Sequence, residues 1–175
     1  MKLNINQNFA NRGMQLETDI NITNQYYLEH NIAIIYKKPT PIKVLKTSFD
    51  KNRIVEAVFD KKSTLDYNGI WEGKYIEFDV KETLSKTSFP LSNIQNHQLQ
   101  HAKMVLEHKG ICFLIIRFVL LDKTYILLVE DLLAFIRNNS RKSIPLEYFE
   151  KWGRLIPLSY IPRLDYIRVL KKMII

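Results

Sequence analysis

The sequence has one cysteine, five glycines and no long uninterrupted apolar run among its 175 residues. A single cysteine, Cys112, cannot form an intrachain disulfide or build a thiolate zinc site. Residues 111–116 around it are apolar, so we expect its thiol to pack in the core. The first residues lack the apolar stretch of a signal peptide, and no run approaches the length that spans a membrane. We therefore expect a soluble, cytoplasmic protein.

Positive charge exceeds negative charge in this chain. It has 26 lysines and arginines against 18 aspartates and glutamates, which gives a formal net charge of +8. Hydrophobic residues make up 46% of the chain, which excludes wholesale disorder. The length suits one compact domain over residues 1–175, and no repeat or linker suggests a second. The charge fits a polyanionic partner such as nucleic acid, but it also fits a basic protein that is merely soluble.

The apolar patterns predict a mixture of helices and strands. Asn11 is the expected cap of a first helix that ends near residue 28 and places Leu16, Ile20 and Tyr27 on one face. Ser92-Asn93 is expected to open another helix, which Gly110 would end. Further helices are predicted at 130–138, 145–152 and 165–173, and strands at 33–36, 74–81, 111–116 and 125–129.

Residues 40–62 have a different character. Two short segments that alternate apolar and basic residues, 42–46 and 54–59, flank a polar tip at 48–53. This pattern predicts a protruding β-hairpin rather than part of the core. The basic residues could bind DNA phosphates, or they could only keep an exposed hairpin soluble.

Two acidic residues and a lysine carry the strongest chemical signal. Asp79 and Lys81 lie two residues apart in a predicted strand, so their side chains project from the same face. Asn68-Gly69 is a turn dipeptide, which suggests that Asp66 ends the preceding strand or lies just beyond it, and that the next strand returns past it. A carboxylate pair that binds a divalent cation beside an ammonium group is suited to hydrolysis of phosphodiesters. An exposed strand pair with no catalytic role has the same short pattern.

Three histidines on the predicted second helix invite a different interpretation. His97 and His101 are one helical turn apart, and His108 follows. Catalytic zinc normally takes three protein ligands, and no acidic residue lies near these histidines in sequence. We therefore do not expect a zinc site here.

The longer context of the acidic residues resembles the RecU family of Holliday junction resolvases, which belong to the PD-(D/E)xK nuclease superfamily. The resemblance runs from about residue 11 to residue 170. Several ordered motifs carry it: Asn11-Arg12-Gly13-Met14 with Leu16-Glu17, Lys37-Lys38-Pro39-Thr40-Pro41, Thr64-Leu65-Asp66-Tyr67-Asn68-Gly69, Gly73-Lys74-Tyr75-Ile76, Lys81-Glu82-Thr83, Lys86-Thr87-Ser88-Phe89-Pro90-Leu91, His97-Gln98, Gly110-Ile111-Cys112-Phe113, Arg141-Lys142-Ser143-Ile144 and Pro162-Arg163-Leu164-Asp165-Tyr166-Ile167.

The resemblance implies a fold and an activity. The fold is α/β and restriction-endonuclease-like, with a mixed central sheet flanked by helices. Residues 40–62, hereafter the stalk, are implied to enter the central opening of a four-way DNA junction. The activity is symmetric hydrolysis of junction strands in recombination and repair, leaving 3′-hydroxyl and 5′-phosphate ends. The family is homodimeric, so two identical active sites are expected at matching positions on the junction.

The resemblance also assigns roles at the active site. Asp66, Asp79 and the carbonyl of Val80 are expected to bind Mg²⁺, with Mn²⁺ as a substitute. Lys81 is expected to position or deprotonate the attacking water and to stabilise the transition state. The family usually has glutamate where this chain has Asp79. The shorter acid is still a hard oxygen donor, but it could shift the preference towards Mn²⁺.

Secondary candidates surround this centre. Thr64 and Gln98 are expected to contact a metal-bound water, the metal or the phosphate, and Gln98 should face the site from the second helix. Glu17 is expected to orient a water or a second metal ion.

DNA contacts are expected at basic and aromatic positions. Arg12, Lys37 and Lys38 match basic positions of the family. In the stalk, Arg53 and Phe59 are candidate junction contacts, and further lysines lie at Lys43, Lys46 and Lys51. A recombinase or a branch-migration helicase is a possible protein partner.

Two other functions remain open from the sequence. One is a restriction-like nuclease of the same superfamily that cuts linear duplex. The other is a module that binds or anneals branched DNA without cutting it. The acidic pair with Lys81 argues against the second, and the basic stalk argues against the first.

Overall fold

In this computed structural model, residues 6–50, 52–60 and 64–174 are described, with side chains from Gln15 onward. The helices are α1 (Asn6–Glu29), α2 (Asn96–Glu107), α3 (Val129–Asn138), α4 (Leu146–Trp152) and α5 (Tyr166–Ile174). The strands are β1 (Ile34–Lys37), β2 (Ile42–Thr47), β3 (Ile54–Phe59), β4 (Tyr67–Trp71), β5 (Lys74–Thr83), β6 (Ser88–Pro90), β7 (Ile111–Phe118), β8 (Lys123–Leu128), β9 (Ser143–Pro145) and β10 (Arg154–Ile156). None of the described helices is long and apolar enough to cross a lipid bilayer.

The centre of the fold is a six-stranded mixed sheet in the order β1-β4-β5-β7-β8-β10. The pairing of β5 with β7 is parallel, and the other pairings in this sheet are antiparallel. Strands β6 and β9 form a separate small ribbon, as do β2 and β3. The predicted α/β architecture, a mixed central sheet flanked by helices with an added hairpin, is confirmed.

Strand β5 separates two environments. Its residues Ile76, Phe78 and Val80 face the hydrophobic core that α1 and α5 cover. There Phe78 stacks on Tyr67 of β4 and on Phe113 of β7, with ring centroids 4.9 and 4.7 Å apart. Because successive residues of a strand point to opposite faces, the odd-numbered residues of β5 project to the other side of the sheet. This aromatic stack packs strands β4, β5 and β7 together on the core face of the sheet.

Helix α1 packs as predicted along one face but begins earlier. Leu16, Ile20 and Tyr27 are all fully or almost fully buried, which confirms the predicted face. The helix starts at Asn6, so Asn11 lies within it and the predicted cap is wrong. No proline or glycine interrupts residues 6–12, so nothing in the chain stops the helix from extending in that direction.

An internal ion pair joins α1 to the sheet. The Arg117 guanidinium of β7 donates from Nη2 to Asp19 Oδ2 (2.8 Å) and from Nε to Thr124 Oγ1 (3.1 Å). Asp19 and Arg117 are both buried, and Arg163 Nε lies 3.1 Å from the second oxygen of Asp19. The charge on each buried group is therefore paired, as burial requires.

Helix α2 also begins at a different residue from the predicted one. Leu91–Asn93 form a 3-10 turn, and the helix starts at Asn96 with Gln95 as its N-cap. The Gln95 and Gln98 side chains bond reciprocally to backbone N–H groups, a capping box built from glutamines that the Ser92-Asn93 signal did not predict. At the other end, the left-handed residue is Lys109 (φ 64°), one position before the predicted terminator Gly110.

The turn predicted at Asn68-Gly69 is wrong, because both residues lie inside β4. Glu72 and Gly73 make the turn instead, with φ values of 47° and 75°. Gly69 is needed for another reason: a Cβ atom there would lie 2.0 Å from the carbonyl oxygen of Ile34 in β1. Asp66 therefore lies just before β4 and does not end a preceding strand.

The stalk forms the predicted hairpin. Strands β2 and β3 pair antiparallel from Ile42↔Phe59 to Thr47↔Ile54, with irregularities beside Lys46. Every residue of both strands is exposed. The hairpin therefore adds no surface to the core and is free to contact another molecule.

Gly69→Ala should destabilise the fold strongly, because the new methyl group meets the backbone of β1 rather than a movable side chain. We expect a loss of at least about 2 kcal/mol in the free energy of unfolding, measured by urea denaturation. Gly73→Asn is the matched control, since asparagine tolerates the left-handed turn and no atom of the described residues lies within 4 Å of its Cβ position. Equal stability of the two variants would contradict the close approach of β1 to β4.

Candidate active site

Asp79 and Lys81 lie side by side on the face of β5 that points away from the aromatic stack. The Lys81 ammonium donates to Asp79 Oδ2 over 2.8 Å. The Asp79 side chain is 1% exposed, whereas that of Lys81 is 22% exposed. The predicted pair is therefore formed, with its carboxylate inside the protein and its cation at the edge of the site.

The two oxygens of Asp79 have different surroundings. Oδ2 accepts hydrogen bonds from Lys81 and from Gln98 Nε2, the latter over 2.7 Å. Oδ1 is buried and has no hydrogen-bond partner among the residues that the structure describes. A buried oxygen of this kind normally has a partner, because desolvation without one is costly. Oδ1 is therefore available to a cation, and the two donors on Oδ2 fix the orientation of the carboxylate.

Asp66 is the last residue before β4, in the segment that follows the stalk. Its carboxylate lies beside that of Asp79. Burial is the main cause that raises the pKa of Asp79 to about 6. The Lys81 ammonium opposes this rise, while the negative charge of Asp66 increases the pKa further. The structure thus brings Asp66, Asp79 and Lys81 together.

Gln98 and Thr64 complete this side of the site. The buried Gln98 Nε2 also donates to the backbone carbonyl of Thr64 over 3.2 Å. Gln98 thereby links helix α2 to Thr64, two residues before Asp66, and to Asp79 on β5. Its side chain faces the site. The Thr64 hydroxyl accepts a hydrogen bond from Lys38 Nζ (2.8 Å), so a metal contact by Thr64 stays a prediction.

A second acidic group, Glu77, lies two residues before Asp79 on the same strand face and is fully buried. Its carboxylate accepts hydrogen bonds from Lys38 Nζ, from Tyr75 OH (2.8 Å) and from His101 Nε2, which is 2.9 Å from each oxygen. Burial acts to raise the pKa of Glu77, but these hydrogen bonds outweigh it and the pKa is lowered. Glu77 is therefore a charged, fully partnered group.

Neither Glu77 nor His101 has a role that the sequence alone predicts. An acidic residue within an otherwise apolar strand is the signal that could have suggested a buried partner, because a buried charge requires one. His101 is hydrogen-bonded to Glu77. In the described parts of the chain, no three side chains from histidine, cysteine, aspartate and glutamate form a metal-binding group.

Glu17 and Lys37 form an ion pair with each other at the surface. A DNA contact by Lys37 and a water-orienting role for Glu17 stay predictions, as does the phosphate contact of Lys38, whose ammonium bonds to Glu77 and Thr64. The side chain of Arg12 lies outside the described residues.

The stalk carries the two remaining candidates. Arg53 lies just before β3, where its backbone bonds to Ser48 across the tip. Phe59 is 82% exposed, and Phe49 at the tip is completely exposed. Phe49 was not among the predicted contacts, although an aromatic residue in a polar hairpin tip is a recognisable signal. Lys51 lies outside the described residues.

Asp79→Asn should change how stability depends on pH in metal-free protein. The folded state holds a proton on Asp79 up to about pH 6, against an ordinary value of 3.8, so wild-type stability is lost as pH rises through this window. Asparagine does not ionise. We expect the variant to gain roughly 2–3 kcal/mol relative to wild type between pH 4 and pH 7, measured by urea denaturation in EDTA. Parallel pH profiles for the two proteins would contradict the burial of an ionising carboxylate at this site.

Comparison with known proteins gives a consistent assignment. A family model described as recombination protein U matches residues 11–172. Proteins named Holliday junction resolvase RecU from Geobacillus sp. (strain WCH70), Bacillus cereus (strain B4264) and Oceanobacillus iheyensis are 49%, 50% and 47% identical to this chain. The aligned regions cover 95%, 93% and 96% of this chain and 86%, 84% and 89% of those proteins, respectively.

Among solved structures, the Holliday junction resolvase Hjc of Archaeoglobus fulgidus aligns with a TM-score of 0.48 and 10% identity, over 82% of this chain and 96% of that one. The family match covers almost the whole chain and includes each residue of the site described above. The chain belongs to the recombination protein U (RecU) family.

Proposed function

We propose that this protein is a metal-dependent endonuclease that resolves Holliday junctions in homologous recombination and DNA repair. The observation that carries the proposal is the buried Asp79 Oδ1, which has no hydrogen-bond partner in the described part of the chain and lies beside Asp66 and Lys81. The relatives, 86% and 89% of whose lengths are aligned with this chain, are named as junction resolvases, which supports the choice of substrate. In this function the protein acts in the cytoplasm on four-way junction DNA.

Mg²⁺ is the proposed cofactor, and Mn²⁺ is expected to substitute. Asp66, Asp79 and the Val80 carbonyl would hold the ion. Magnesium commonly uses only one or two carboxylates and retains several waters, so this small set of oxygen donors fits it. When bound, the ion supplies a bound water of lowered pKa and neutralises charge on the phosphate.

The protein groups around the cation site each have a separate task. Gln98 and Lys81 hold Asp79 Oδ2 and leave Oδ1 for the ion. The Lys81 ammonium, at the partly exposed edge of the site, lies where a scissile phosphate would approach. It would stabilise the negative charge that develops on the phosphate and position the attacking water. Water then adds to phosphorus as the 3′ oxygen leaves, which gives a 3′-hydroxyl and a 5′-phosphate.

The stalk is the proposed junction-recognising element. It is exposed along both strands and carries Lys43, Lys46, Arg53 and the aromatic residues Phe49 and Phe59. The cations would contact phosphates, which gives affinity without sequence information. The exposed rings would stack on bases at the open centre of the junction.

Two copies of the active site are needed to cut a junction symmetrically. We therefore propose a two-fold homodimer, because it places identical sites at symmetry-related strands. A recombinase or a branch-migration helicase is a further partner compatible with this function.

A cleavage assay tests the proposal directly. A labelled four-way junction and a linear duplex of the same sequence are incubated with the protein in Mg²⁺ or Mn²⁺. We expect paired, symmetric nicks in the junction alone. Asp66→Ala should lower the single-turnover rate by at least about a hundredfold, because it removes one of two carboxylate ligands.

The other outcomes separate the alternatives. Faster cutting of the linear duplex would favour a restriction-like nuclease. Tight junction binding without cleavage in either metal would overturn the catalytic assignment and favour a binding module. Asp122→Asn, an exposed acid on the β7–β8 connection, is the matched control and should cut at the wild-type rate.

A further inference from the structure

Lys38 lies where the chain leaves the central sheet for the stalk, and Thr64 and Asp66 lie where it returns. Two hydrogen bonds join the two ends of the stalk at its base. The Lys38 backbone N–H donates to the carbonyl oxygen of Asp66 over 2.7 Å, and the Lys38 ammonium donates to the Thr64 hydroxyl over 2.8 Å. One residue thus holds both ends of the returning segment 64–66.

The Lys38 ammonium is itself held by Glu77. The Lys38 side chain is 23% exposed and that of Glu77 is 0% exposed, so this pair is largely removed from water. Tyr75 and His101 make the other hydrogen bonds of the Glu77 carboxylate. A fully buried carboxylate keeps its cation close, because leaving it unpaired is strongly unfavourable. The buried Glu77 carboxylate therefore fixes the position of the Lys38 ammonium.

This pair connects to Asp79 through Thr64 and Gln98. The Thr64 hydroxyl binds Lys38, while its carbonyl accepts from Gln98 Nε2 (3.2 Å). The same Gln98 nitrogen donates to Asp79 Oδ2. An unbroken chain of hydrogen bonds thus runs from Glu77 to the carboxylate proposed to bind the metal.

We propose that Lys38 and Glu77 are positioning residues, whose buried ion pair clamps the base of the stalk and sets the place of Thr64 and Asp66 relative to Asp79. The inference rests on the proposed function, because this placement matters for catalysis only if the two aspartates act together. It assigns Lys38 to the interior of the site rather than to a DNA phosphate. It also gives the fully partnered Glu77 a task distinct from metal binding.

The test uses the double variant Lys38→Met/Glu77→Gln beside the single variant Lys38→Met. The single variant leaves Glu77 buried without its cation, so its melting temperature should fall. The double variant removes both charges and should recover most of that loss, which separates the clamp from a general failure to fold. Lys123→Met/Glu150→Gln is the matched control, since it removes an exposed lysine–glutamate pair 3.4 Å apart.

Three measurements are made on each folded variant. Hydrogen exchange of metal-free protein reports on residues 37–38 and 64–67, and junction affinity is measured in EDTA. Single-turnover cleavage is measured at saturating protein. For the double variant we expect faster exchange in those two segments only, affinity within about threefold of wild type, and cleavage at least about tenfold slower, since small misplacements of reacting groups cost this much or more.

Unchanged exchange with wild-type cleavage would overturn the clamp. So would a loss of affinity that accounts for the whole loss of cleavage, because it would make Lys38 a phosphate contact. If the wild-type protein itself does not cleave, the proposed function fails, while the exchange data still decide whether Lys38 and Glu77 hold segment 64–66.

Discussion

Strand β5 places aromatic and aliphatic side chains on one face and buried charge on the other, and the site depends on this division. Phe78 packs between Tyr67 and Phe113 and anchors the strand on the core face of the sheet. On the opposite face Glu77 and Asp79 are both fully buried. Carboxylates in such surroundings need cations or hydrogen-bond donors, which come from Lys38, from helix α2 and from β5 itself.

The two acids satisfy that requirement in different ways. Every oxygen of Glu77 is bonded by the protein, and its pKa is lowered. Asp79 has one oxygen that no described residue bonds, and burial raises its pKa. One strand face therefore carries a structural acid and, two residues later, an incompletely satisfied acid. That incomplete satisfaction is the physical basis for assigning the cation to Asp79.

Local periodicity was enough to predict some features of the site from the sequence. The two-residue spacing placed Asp79 and Lys81 together, and the alternation of residues 42–59 indicated the exposed hairpin. Prediction failed where distant backbone decides the outcome. Asn68-Gly69 has turn propensity, yet Gly69 lies in β4 because β1 passes too close for a side chain.

Local patterns do not identify which distant residues are in contact. Glu77 bonds to Lys38 and His101, which are far from it in sequence, so no short pattern reveals these pairs. The proximity of Asp66 to Asp79 was inferred from a turn at Asn68-Gly69 that does not exist and from the family resemblance. The sequence therefore predicted the acidic pair and its lysine, whereas the groups that hold them in place became visible only in the folded chain.

The central claim is that Asp66 and Asp79 share one divalent cation. A crystal structure of the protein soaked with Mn²⁺, with anomalous scattering data, tests it most directly. The account predicts an anomalous peak at about 2 Å from Asp79 Oδ1 and from an Asp66 oxygen, with no peak at Glu77. A peak at Glu77 and His101, or no peak beside Asp79 at saturating Mn²⁺, would contradict it.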